Sequence, residues 1–197
     1  MIAIIDYGLG NISNVTRAIQ HLGYDVILTC DDKDVQKAEA IVLPGVGHFQ
    51  DAMHSIEEKS IKDMLKNIHD KPIIGICLGM QLLFQHSAEG DVSGLELVPG
   101  NIVPIQSSHP IPHLGWNELK STHPLLQSDV YFVHSYQAEM SEYVVAYADY
   151  GTKIPGVIQY RNYIGIQFHP EKSGTYGLEI LNQALKGAVS YTHLTLP

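Results

Sequence analysis

With 197 residues, 45% of them hydrophobic and 17% charged, the chain has enough apolar material to close one full core and reads as a single soluble domain. A formal charge of -9, from 12 Lys and Arg against 21 Asp and Glu, speaks against nucleic acid as the main partner, because phosphate binding needs a basic face. Two cysteines, Cys30 and Cys77, make no disulfide framework, and the opening residues lack the basic region of a leader and the length of a membrane span, so a cytoplasmic protein is expected.

Residues 1–6 predict an apolar strand and 7–11 a turn. A helix follows with Val15, Ala18, Ile19 and Leu22 on its buried face, Asn11 or Ser13 as its cap and Gly23 as its stop. The GxG of the turn invites a dinucleotide reading, but Ser13 stands where the third glycine belongs. Strands are expected at 25–30 and 40–43, with Asp31 and Asp32 in a polar loop. At 44–47 the run Pro-Gly-Val-Gly frees the backbone to aim its amides at a bound group, or else simply turns a βα loop. Phe49, Met53 and Ile56, then Ile61, Met64, Leu65 and Ile68, are spaced as helix.

The chemistry centres on 75–81, Gly-Ile-Cys-Leu-Gly-Met-Gln. An apolar strand from Lys71-Pro72 runs into it, and Leu82, Leu83 and Phe84 read as the helix that leaves it. Gly75 and Gly79 flank Cys77 as a tight strand-to-helix elbow requires, and the start of a helix favours a thiolate. The amide of Leu78 and one from the Val46-Gly47 turn would then face a developing oxyanion. A buried cysteine at an ordinary tight turn is the bland alternative.

Beyond the elbow, short strands are expected at 95–98, 102–105, 131–133, 143–148, 156–160 and 163–168, and a helix at 174–185. His169 and Glu171, two apart in extended chain at the end of the last strand, project to one side with Pro170 stiffening the link. One can exchange a proton with Cys77 while the other fixes the imidazole. His109 and His113 have a metal-pair spacing, but Pro110 and Pro112 exclude the helix it needs. His134, Ser135 and Tyr136 follow a strand where polar groups can line a pocket, or serve only the turn. Residues 189–194 back-translate to a run resembling a transposon end used in sequencing adapters, so 189–197 is set apart as a foreign tail and 1–188 as the domain.

Taken together, these residues resemble the class I glutamine amidotransferases over 1–188. GICLGMQ (75–81), PGVG (44–47) and HPE (169–171) are shared with the family. DYGLGN (6–11), HLGWN (113–117), FVHSY (132–136) and HPEKS (169–173) are similar to its branch in histidine biosynthesis. His48 and Gln50 depart from the pattern. The resemblance implies an α/β fold, an open and mostly parallel sheet flanked by helices with added antiparallel strands on a flavodoxin-like core. It implies a glutaminase in which Cys77 attacks the side-chain amide of glutamine, His169 acts as base and then acid, and Glu171 holds it. The backbone of Leu78, Val46 and Gly47 would hold the oxyanion, and Gly47, Gln81, His134, Ser135 and Tyr136 the glutamine. It implies no cofactor, no metal and no membrane, and a (β/α)8 cyclase partner in a heterodimer touching Asn11, Trp116, Asn117 and Lys172. Core packing for Trp116 and a solvated charge for Lys172 remain open beside that role.

Overall fold

A computed structural model describes residues 1–187, so the boundary expected at 188 and the tail at 189–197 lie outside the described residues. The first half alternates: β1 (Ile2–Ile5), α1 (Ile12–His21), β2 (Val26–Thr29), α2 (Asp32–Lys37), β3 (Ala40–Gly45), α3 (Phe49–Glu58), α4 (Ile61–Lys66), β4 (Ile73–Cys77) and α5 (Leu78–Leu82). Strands then dominate: β5 (Phe84–Ser87), β6 (Val92–Ser93), β7 (Val98–Pro104), β8 (His113–Lys120), β9 (Asp129–His134), β10 (Tyr136–Ala138), β11 (Val144–Asp149), β12 (Lys153–Tyr160) and β13 (Tyr163–Ile166). Helix α6 (Gly174–Leu185) follows.

Nine strands form one sheet in the order β2, β1, β3, β4, β13, β12, β11, β8, β9. Neighbours from β2 to β13 run parallel, with Leu43 and Gly165 both opposite Gly75. From β13 outward every pair is antiparallel. Strand β13 therefore joins two halves with different ladders.

The inner strands are buried on both faces, which is why they read as unbroken apolar runs. Ile2, Ile4, Val42, Ile74 and Ile76 pack on one side with Val15 and Ile19 of α1 and Ile180 and Leu181 of α6. Ala3, Ile5, Ile41, Leu43 and Ile73 pack on the other with Phe49, Ile56, Ile61 and Leu65 of α3 and α4. Burying one such side chain contributes about 1.5–3 kcal/mol, so this three-layer arrangement anchors the carboxyl ends of β3, β4 and β13.

Several expectations need correction. Asp32 is no loop residue: it opens α2, and the side chain of Asp31 before it accepts the Lys33 N–H at 2.7 Å and caps that helix. Asn11 occupies the cap position of α1, but its side chain makes no cap bond there. The helix after the elbow ends at Leu82, because Phe84 already enters β5 of a second sheet ordered β10, β7, β5, β6. Residues 98–104 are one strand of that sheet rather than two short ones, and 113–120 form β8. Among the described residues no helix is long and apolar enough to cross a membrane.

Candidate active site

Strand β4 passes into α5 with no intervening loop, and Cys77 takes the whole turn at φ 54°, ψ -113°. A non-glycine residue held there costs on the order of 1–3 kcal/mol and persists only where its surroundings enforce it. The glycines enforce it by admitting backbone. A Cβ on Gly75 would lie 2.5 Å from the Gly79 carbonyl oxygen, and one on Gly79 would run into the carbonyl of Leu43. Both glycines are therefore required by packing, as the spacing suggested. With only five residues, α5 aligns few peptide dipoles, so the dipole effect expected of a full helix is correspondingly reduced.

The Pro44–Gly47 turn lies beside the elbow because β3 and β4 are paired, with Gly45 opposite Cys77. A Cβ on Gly45 would lie 2.7 Å from both the Gly79 amide nitrogen and the Tyr7 hydroxyl. That hydroxyl donates to the Pro44 carbonyl at 2.7 Å. Gly47 has φ +106°, and Val46 is exposed at the rim.

His169 and Glu171 reach the same place from the other side of β4. They do not share an extended stretch: β13 ends at Ile166, His169 is extended at φ -95°, ψ 96°, and Glu171 lies in the 3-10 turn Pro170–Lys172. The short turn still delivers the pair, with His169 Nδ1 2.8 Å from Glu171 Oε1 and side chains only 3% and 1% exposed. The His169 backbone is pinned by its N–H to Tyr131 at 2.9 Å and by Ser173 Oγ donating to its carbonyl at 2.6 Å. Burial opposes charge on the ring, but contact with the Cys77 thiol and the Glu171 carboxylate outweighs it and holds the His169 pKa up at about 9.

A cleft of about 420 Å³ opens at this point, lined among others by Val46, Gly47, Cys77, Leu78, Gln81 and His169. His134, Ser135, Tyr136 and Lys172 also line it, so every residue expected to hold substrate is present and Lys172 is at the cleft rather than apart from it. Gln81 is buried and donates to the Tyr136 carbonyl at 2.9 Å and to Gln167 Oε1 at 3.0 Å. The sequence reading missed Glu89, which lines the cleft while its Oε2 accepts the Phe49 N–H at 3.1 Å. His48, whose position departs from the pattern, lies 3.9 Å from Glu89, and Gln50 packs under Gly90.

Of the four residues expected at a partner interface, Trp116 stays out of the cleft, 59% exposed and in edge contact with Tyr131. Core packing is thereby excluded for it. Asn11 instead donates to Glu171 Oε1 at 3.4 Å, and Asn117 donates to the Asp149 carbonyl at 3.0 Å. His109 and His113 do not meet as a pair, since His113 faces His134; among the described residues no group of three or more His, Cys, Asp or Glu is placed to hold a metal.

Comparison with known proteins follows the geometry. Residues 3–187 match the family model described as glutamine amidotransferase class-I. A protein named imidazole glycerol phosphate synthase subunit HisH from Staphylococcus epidermidis is 99% identical over 187 residues, covering 95% of this chain and 97% of that protein. Its namesake from Staphylococcus saprophyticus is 67% identical, covering 95% and 94%. Among solved structures, a glutamine amidotransferase superposes with a TM-score of 0.77 at 16% identity over 95% of this chain and 99% of its own. PurLQS from Thermotoga maritima gives 0.66 at 17% identity over 96% and 98%, and at that identity both structures speak to the fold alone.

Proposed function

The chain belongs to the class-I glutamine amidotransferases, and from that premise we propose that it is the glutaminase subunit of an imidazole glycerol phosphate synthase. It hydrolyses L-glutamine to glutamate and ammonia and supplies the ammonia to a (β/α)8 cyclase subunit in histidine biosynthesis, in the cytoplasm. The observation that carries the chemistry is the convergence of Cys77, at a strained elbow, with a buried His169–Glu171 pair at one cleft. The pathway rests on the 99% identity to a synthase subunit.

Cys77 attacks the side-chain amide carbon as a thiolate, with the amide of Leu78 and one from Val46 or Gly47 holding the oxyanion. The C–N bond breaks, His169 gives its proton to the leaving nitrogen, and ammonia departs from a thioester. His169 then takes a proton from water, which attacks the thioester and releases glutamate and the Cys77 sulfur. Glu171 accepts the Nδ1–H bond throughout and keeps Nε2 toward the sulfur. Gly47, Gln81 and the 134–136 segment line the substrate, and the Glu89 carboxylate suits its α-ammonium group. Free ammonia protonates in water and loses its nucleophilicity, so docking of the cyclase over this edge, at Asn11, Trp116, Asn117 and Lys172, protects the product. The domain on this reading is 1–188, supported by the family match over 3–187, with 189–197 foreign to it.

Glutamate release is the test, assayed for the chain alone and with a cyclase subunit carrying its nucleotide ligand. Release should rise sharply with the partner, and Cys77→Ala should lower it by about 10³-fold or more while the complex still uses added ammonium. A well-folded chain that is inactive in every mixture overturns the assignment.

A further inference from the structure

Two buried histidines, His113 and the cleft-lining His134, that take no proton in the reaction above form a chain with one possible direction. His134 Nδ1 lies 2.7 Å from the Tyr136 carbonyl, which only accepts, so Nδ1 carries the proton. His134 Nε2 lies 3.2 Å from His113 Nδ1. In a neutral His134 that Nε2 is a lone pair, and His113 must donate to it from Nδ1. His113 Nε2 is then the acceptor that meets Asn117 Nδ2 at 3.3 Å, while the second N–H of the same amide goes to the Asp149 carbonyl at 3.0 Å. The Asp149 carbonyl settles the amide orientation, because an Asn117 oxygen turned toward it would place two acceptors together. Charging either ring puts two N–H donors face to face, at the Asn117 end or between the rings. Burial pushes both pKa values down in agreement, His113 to about 4 and His134 to about 3.

The rings are held by more than this chain. His113 is stacked between Phe132, at 4.4 Å, and Tyr150, at 4.0 Å, and is paired across the β8–β9 ladder with His134. The far end, the Tyr136 carbonyl, also accepts from Gln81, and both residues line the cleft.

We propose that His113 is a positioning residue for the glutamine cleft: it passes a one-way hydrogen-bond chain from Asn117, next to exposed Trp116, through His134 to the Tyr136 carbonyl in the cleft wall. The proposal rests on the glutaminase reading of that cleft. A group that docks at Asn117 and competes for its amide N–H thereby pulls on the wall that holds the substrate.

The first test needs no activity. A long-range ¹⁵N–¹H spectrum of the free chain at neutral pH should show both rings neutral and both protonated at Nδ1, the tautomer that free histidine disfavours. Either ring protonated at Nε2, or charged, overturns the proposal whether or not the chain hydrolyses glutamine. The second test compares His113→Phe, which keeps the stack and loses the donor, with His113→Asn, whose amide nitrogen takes the place of Nδ1, both in complex with the cyclase. The Phe variant should raise KM for glutamine about tenfold with kcat nearly unchanged, the effect of one buried hydrogen bond. The Asn variant should recover most of that loss. An unchanged KM in His113→Phe, or a His113→Asn no better than it, sinks the idea.

Discussion

Cys77 departs from its strand neighbours in both backbone angles, φ 54° and ψ -113°, at the point where its thiol meets His169. On the proposed roles the free site holds on His169 the proton meant for the leaving nitrogen, and a pKa of about 9, kept up by the Cys77 thiol and Glu171, sets where that proton is lost. Glutamine turnover in the complex should therefore fall on an alkaline limb near pH 9. Glu171→Gln removes one of the groups holding the proton on, so the limb should move to lower pH and turnover should drop about 10²- to 10⁴-fold. A Glu171→Gln profile superimposable on the parent would contradict the role. At this scale the sequence was informative where chemistry needs a special backbone or a close pair, as with Gly75, Cys77 and Gly79 or His169 and Glu171. Glu89 escaped because an acid between Ala88 and Gly90 looks like any surface loop, and only the fold turns it into the cleft. His113 escaped for another reason: its spacing to His109 offered only a metal pair, which Pro110 and Pro112 excluded, and its actual partner, His134, lies across a strand pair.

Elements buried on both faces announced themselves, since β1, β3 and β4 are apolar at successive positions. Helix α2 did not, because DKDVQK buries Val35 and little else and so shows no apolar period. Strand β8 was equally obscure: His113 and Leu119 are its buried ends, while Leu114 and Trp116 expose apolar surface that an isolated domain would hide. Strands β5 and β6 are too short for alternation to register. The elbow depends on elements meeting, and Gly79→Ala tests it, since its Cβ would collide with the Leu43 carbonyl of the neighbouring strand. Overpacking of that kind costs about 1–3 kcal/mol, sometimes more. The melting midpoint should fall by about 3–10 °C in calorimetry, and an unchanged midpoint would mean that β3 and α5 separate at little cost.

Across the whole molecule the buried histidines pull stability in opposite directions with pH. Folding lowers His113 and His134 from 6.5 to about 4 and 3, so the stability of their neutral forms is present above 6.5 and is lost as pH falls toward 4. Folding raises His169 from 6.5 to about 9, so its contribution is full below 6.5 and is lost as pH climbs through 9. Urea midpoints should therefore peak near pH 6.5 and decline on both sides, and His113→Phe should flatten the acid side only. A midpoint that stays level between pH 4.5 and 6.5 would refute this account. The order of the nine strands has one more consequence, which concerns time. Strand β4 leaves the ribosome with β3 already made, but its other neighbour, β13, is the last strand of the sheet to be synthesised. Until β13 arrives, the nascent chain carries the proposed nucleophile on an open sheet edge, without its base and without half of its cleft. On the roles proposed here such a chain should be silent toward glutamine until the late strand brings His169 beside Cys77.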